Sequence, residues 1–150
     1  MIVVVDASVA VKWFIREHVD EHDTDTATDI LWGIYEGRAR MIEPPHFLCE
    51  VASVLVRKQP KLAFRSLDRL ARINWKTAES IRIYSLAMDL SARLNHHLFD
   101  TLYHATSLLT EHATFVTADE RYYDKAHGQG SIVRLADFEL PGKTGEAPPH

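Results

Sequence analysis

The stretch Ile2-Val3-Val4-Val5-Asp6-Ala7-Ser8 decides the fold: four β-branched residues in a row, stopped by an acid. A short unbroken apolar run, lacking the alternation of a half-exposed strand, suits a strand covered on both faces, as in a parallel sheet. Residues 113–117, Ala113-Thr114-Phe115-Val116-Thr117, repeat this grammar, a second strand that ends just before Asp119. Open parallel α/β sheets carry their ligand crevices beyond the C-terminal ends of the strands, so Asp6 and Asp119 both stand where a site is expected. Each acid taken alone has a simpler account as the cap of a following helix.

Between these strands the periodicity is helical. Residues 23–36 place Ala27, Ile30, Leu31 and Ile34 on one face, with Gly37 as a stop. A short strand at Met41-Ile42 runs into Pro44-Pro45, which ends a ladder and opens a helix over 46–57. Residues 61–73 form an amphipathic helix with Ala63, Phe64, Leu67, Leu70 and Ala71 on its apolar stripe. A short strand at 74–76 follows, then a helix capped by Thr77 that runs to about Leu94. A further helix begins near Asp100 with Leu102, Ala105 and Leu109 toward the core, and 131–135 is the last strand. This alternation implies right-handed crossovers and an α/β sandwich, a central, mostly parallel sheet of four to five strands flanked by helices.

The chain's 150 residues suit one domain, with residues 1–138 folded and a loose tail at 139–150. An apolar fraction of 46% with 25% charged residues is that of a globular protein and argues against disorder and a membrane class. The acid at position 6 and the lack of a basic leader lead us to expect no signal peptide. The single cysteine, Cys49, allows no intrachain disulfide, as expected of a cytoplasmic protein. A net charge of -4 argues by itself against nucleic acid, so a nucleic-acid function requires locally concentrated bases and acids used for chemistry.

Glu50 and Asp100 supply such acids. Glu50 lies three residues after Phe47 and four before Val54, on or beside the apolar face of its helix. A carboxylate there needs a salt bridge, a proton or a metal ion, and Arg57 and Lys58 stand seven and eight residues on as salt-bridge candidates. Asp100, in a first helical turn, is favoured by the helix dipole alone. Hard oxygen ligands without an assembled cysteine or histidine motif select magnesium or manganese over zinc, and such a pocket suits phosphodiester hydrolysis by one or two ions.

Four segments carry a recognisable pattern: Val4-Val5-Asp6-Ala7-Ser8, Pro44-Pro45-His46-Phe47-Leu48-Cys49-Glu50, Phe99-Asp100-Thr101-Leu102-Tyr103-His104-Ala105 and Val116-Thr117-Ala118-Asp119-Glu120-Arg121. In this order they resemble a PIN domain, and the opening Asp6-Ala7-Ser8-Val9-Ala10-Val11-Lys12-Trp13 resembles the VapC toxins of type II toxin–antitoxin systems. The resemblance implies a three-layer sandwich and a magnesium-dependent (or manganese-dependent) endoribonuclease, with Asp6, Glu50, Asp100 and Asp119 as catalytic metal ligands. It implies Ser8 and Thr117 as polar supports, cleavage of single-stranded or loop RNA to a 5′-phosphate and a 3′-hydroxyl, a homodimer, and a small VapB-like antitoxin as partner. Where many relatives carry Asn three residues after the Glu, this chain has Ser53.

Lys61, Arg65, Arg69 and Arg72 form a basic stripe at offsets of four, eight and eleven, a solvated face or a contact for RNA or an acidic antitoxin segment. The nine histidines, among them His46, His96, His97 and His104, are read as core or surface residues, and Trp13, Trp32 and Trp75 as core or dimer contacts. An aspartyl phosphatase would also open on a strand ending in Asp, but it wants a second acid two residues on, where this chain has Ser8. A PIN module that binds RNA or antitoxin without catalysis, and a free-standing PIN nuclease, are the alternatives to the toxin.

Overall fold

The structure is a computed structural model that describes residues 1–15 and 23–142. Its centre is a five-stranded sheet of β1 (Ile2–Val5), β2 (Arg40–Glu43), β3 (Trp75–Thr77), β4 (Ala113–Thr117) and β5 (Ile132–Arg134). The order is β3-β2-β1-β4-β5 and every neighbouring pair is parallel. The β1 to β4 register pairs Ile2 with Ala113 and Val5 with Val116, which brings Asp6 and Asp119 to the same end of the sheet. Val3, Val4 and Val5 are fully buried, which accounts for the missing alternation in that segment.

The helices are α1 (Ala7–Ala10), α2 (Thr24–Tyr35), α3 (Phe47–Lys58), α4 (Ala63–Ala71), α5 (Ile81–Leu94), α6 (Leu98–Leu108) and α7 (Glu120–Ala126). The chain steps from β1 to β2 to β3 in one direction and from β4 to β5 in the other. With right-handed crossovers this puts α1 to α4 on one face and α5 to α7 on the opposite face, giving three layers. The connections leaving β1 and β4 diverge, so a crevice opens between the ends of these adjacent strands, the switch point of an open α/β sheet. No helix among the described residues is long and apolar enough to cross a membrane.

Several local expectations are corrected. Ser80 caps α5, its hydroxyl accepting from Ile83 N–H at 3.2 Å, while Thr77 belongs to β3. On α4 the buried face is Ala63, Ser66 and Leu70, and Phe64 is 82% exposed. Leu109 closes α6 from an exposed position. Trp13 is core, donating its indole N–H to the Ala27 carbonyl at 2.8 Å, and Trp75 packs edge-on against Phe47, whereas Trp32 lies exposed beside Tyr35.

Of the expected tail, residues 143–150 lie outside the described residues, but the core continues through Phe138 to Leu140. Leu140 sits against Gly33, where an added Cβ would collide with the leucine side chain. Glycine inside a helix costs about 1 kcal/mol relative to alanine, and here it makes room for that contact. Leu140→Ala is therefore expected to cost about 2 kcal/mol, lowering the melting temperature by roughly 4–8 °C in a thermal scan. An unchanged melting temperature would mean that the segment after β5 contributes nothing to the core.

Candidate functional site

Asp6 leaves the end of β1 as the N-cap of α1, its Oδ1 accepting from Val9 N–H at 3.3 Å and from the Ser8 hydroxyl. Its Oδ2 accepts from the Thr117 hydroxyl at 2.6 Å, and this bond across the switch point ties β1 to β4. The two hydroxyls then brace the next loop: Ser8 Oγ accepts from Ala118 N–H and Thr117 Oγ1 from Asp119 N–H, both at 3.0 Å. Asp119 caps α7 through Tyr122 N–H at 3.0 Å. Capping and site-building are therefore compatible roles for both strand-end acids.

Burial raises the Asp6 carboxyl to about 7 in spite of the lowering by the Ser8 and Thr117 hydroxyls, with Asp100 and Asp119 adding repulsion. Asp100, in the first turn of α6, is also raised, first by burial and then by Asp119 and Glu50, against the lowering effect of His96. The influences on Asp6, Glu50 and Asp100 include one another, Asp119 and the polar neighbours Ser8, Thr117, His46, Tyr103 and His96. All four acids named from the sequence lie close enough to act on one another, Asp100 and Asp119 on Asp6, and Asp119 and Glu50 on Asp100. Ligand atoms of Asp100, Asp119 and His96 lie within 4.8 Å of one another.

Glu50 reaches the crevice from the first turn of α3. Its ionic neighbour is His46, four residues before it, with Nε2 3.1 Å from Oε1, and not Arg57. That N–H is directed at the Phe99 carbonyl 2.7 Å away, so Oε1 is left buried without a hydrogen bond. Burial pushes Glu50 up, yet the His46 ring and the Tyr103 hydroxyl outweigh it and hold the group below its usual value. An ionised oxygen buried without a well-directed hydrogen bond costs roughly 1–3 kcal/mol unless it is satisfied, and the His46 ring 3.1 Å away offsets only part of this, so the donor set fits a hard cation.

Three contributors escaped the sequence reading. Glu43, at the end of β2, is fully buried: its Oε1 accepts from Val5 N–H at 2.8 Å, and its Oε2 has no partner. Burial first, then the nearby Asp6, hold Glu43 well above the normal carboxyl range. Its alternation with Met41 along the short strand was the available signal. His96 bonds Asp100 Oδ2 through Nε2 at 2.7 Å, which joins one histidine to the acid cluster. His46 and His96 both stand four residues before their acids, a helical spacing that could have been read for the first pair, since His46 adjoins α3. The basic residues lie apart from this chemistry. Lys61 precedes α4, Arg65 and Arg69 are exposed on it, and Arg72, its C-cap, pairs with Asp68 at 2.9 Å.

The fold and site define the class: a parallel α/β sandwich with acids gathered at its switch point. Residues 3–128 match the PIN domain family, and the chain belongs to it. The fold is similar to that in the crystal structure of VapBC2 from Rickettsia felis bound to a DNA fragment from their promoter. The likeness has a TM-score of 0.63 and 15% identity over 89% of this chain and 97% of that one. A comparison with curated proteins returns no match.

Proposed function

We propose that this protein is a magnesium-dependent endoribonuclease, manganese being an alternative ion, and acts as the VapC-type toxin of a toxin–antitoxin pair. The observation that carries the reading is the unsatisfied Glu50 Oε1 in a crevice shared with Asp6, Asp100 and Asp119. Membership of the PIN family, whose members are generally nucleases, and the shared fold with a VapBC2 toxin–antitoxin complex support it.

Asp6, Glu50, Asp100 and Asp119 would hold one or two ions. A bound ion supplies charge neutralisation at the phosphate and lowers the pKa of the attacking water. The chain's own part is to fix the ligands. Ser8 and Thr117 orient Asp6, and the first turn of α7 orients Asp119. Buried Tyr103 and Tyr122, both kept neutral chiefly by burial, wall the crevice against bulk water.

Lys61, Arg65, Arg69 and Arg72 are proposed to track RNA phosphates or an acidic antitoxin segment. A VapB-like antitoxin, a homodimer and a cytoplasmic setting belong to the same reading. Exposed Phe64, Ile81, Met88 and Phe99 offer apolar area for such partners. With purified protein, magnesium is expected to produce cuts in single-stranded RNA that leave 5′-phosphates, chelation to stop them, and Asp100→Ala to abolish them without changing the circular dichroism. Equal cutting in the chelated sample or by Asp100→Ala would overturn the proposal.

A further inference from the structure

Ligand-range distances among His96, Asp100 and Asp119 suggest at first a histidine ligand. The surroundings of His96 argue for a different role. The imidazole is 7% exposed and lies on the Tyr122 ring at 4.7 Å between centroids. Its backbone is held from both sides, N–H donating to the Ser91 carbonyl at 3.2 Å and C=O accepting from the Ser91 hydroxyl at 2.5 Å. The left-handed Asn95 that ends α5 sets this turn and presents its own carbonyl to Lys125 Nζ at 2.9 Å. Lys125 Nζ also lies 3.4 Å from His96 Nδ1, and Nε2 lies 2.7 Å from Asp100 Oδ2.

An ammonium has donors only, so a ring nitrogen facing it must be the acceptor. Nδ1 is then bare, and the ring proton of the neutral imidazole sits on Nε2, where it is donated to Asp100. Metal ligation through Nε2 would require that proton to move to Nδ1, against the lysine. We propose that His96 is a positioning residue of the metal centre: Lys125 locks its Nε2–H tautomer, and the imidazole fixes Asp100 Oδ2 so that Oδ1 is presented to the ion. This rests on the metal-nuclease reading and adds to it a Lys125–His96–Asp100 relay running from α7 to α6. The relay also makes the site a poor zinc site, since His96, the histidine that groups with Asp100 and Asp119 among the described residues, is turned into a donor.

The test uses the full chain, manganese and zinc titrations, and nitrogen-15 imidazole shifts, which report the tautomer directly. The wild type is expected to show a protonated Nε2 and a bare Nδ1 at His96. Manganese affinity should fall roughly 10–100-fold in His96→Ala and recover most of that in His96→Gln, whose amide N–H can donate from a similar point. Lys125→Met should let the proton spread to Nδ1 and raise the ratio of zinc to manganese affinity. A bare Nε2 in the wild type, or His96→Ala and Lys125→Met variants that bind both metals as the wild type does, would overturn the proposal and leave the nuclease reading intact. A wild type that binds no manganese would instead overturn the nuclease reading itself, and this proposal with it. Should His96→Ala fail to fold, Lys125→Met and the tautomer measurement still decide the matter.

Discussion

Asp6→Asn is expected to lower RNA cleavage by about a hundredfold to a thousandfold, while the protein stays folded and becomes more stable at alkaline pH. Asp6 is the acid that both adjoining strands hold: β1 delivers it, and the Thr117 hydroxyl at the end of β4 fixes Oδ2. Loss of a carboxylate ligand removes several kcal/mol of charge stabilisation from the reacting phosphate, and each 1.4 kcal/mol or so is worth tenfold. Asparagine keeps an oxygen for Val9 N–H and Ser8, so the N-cap of α1 survives. It also removes the cost of ionising a carboxyl that burial has raised to about 7. Single-turnover cleavage and thermal unfolding at pH 8 check both halves. A variant that cuts RNA within a few fold of wild type would remove Asp6 from the catalytic set. A variant that unfolds would show that the negative charge holds the strand ends together.

Metal binding near pH 6 is expected to release about one proton per ion, and the release should fade by pH 8.5 and vanish in Asp6→Asn. In the unfolded chain Asp6 ionises near pH 4, whereas in the metal-free fold it keeps its proton to about 7. Between those values the native state binds more protons than the unfolded one, so this group's contribution to stability is lost as pH rises. Glu43, raised in the same sense, works in the same direction. Glu43→Gln should therefore gain stability relative to wild type as pH climbs from 5 to 8. Calorimetric titration with magnesium in two buffers of different ionisation enthalpy measures the proton count. Proton-neutral binding at pH 6 would contradict a protonated Asp6, and a Glu43→Gln difference that is flat with pH would contradict a protonated Glu43.

The two outcomes together bear on why the crevice contains so much repulsion. Four acids and Glu43 are gathered there, with His96 beside Asp100 and His46 beside Glu50. Mutual repulsion in such a cluster opposes folding, and a divalent ion, if bound as proposed, would relieve it, so that affinity for the ion would be stored in the fold itself.

Much of this architecture was legible in particular residues. The valine run with its terminal Asp6 announced a doubly covered parallel strand, and Val3 to Val5 are indeed fully buried. Gly37 ended a helix as read, adopting a left-handed φ of 74° just past α2. Errors arose where local pattern and tertiary packing disagreed. Thr77 has the chemistry of a cap, but sheet pairing with Glu43 claims its backbone and leaves capping to Ser80. Phe64 fits an apolar stripe by spacing, yet no described residue covers that side of α4, and Leu140, assigned to a loose tail, finds a slot at Gly33.

Asp6, Glu50, Asp100 and Asp119 could be singled out as candidates because each stands at a strand end or a helical position readable from its neighbours, but three of them taken singly read equally well as caps, and it was the ordered set of four motifs resembling a PIN domain that joined them. Strand and helix type were determined locally, by periodicity. What the tertiary structure alone decided is the company those acids keep. The β3-β2-β1-β4-β5 order places Asp6 beside Thr117 across 111 positions of chain, buries Glu43 below the site and sets Lys125 behind His96. The physical reason is that desolvation, repulsion and tautomer choice depend on distances through space, which strand order and helix packing determine and local sequence pattern does not carry.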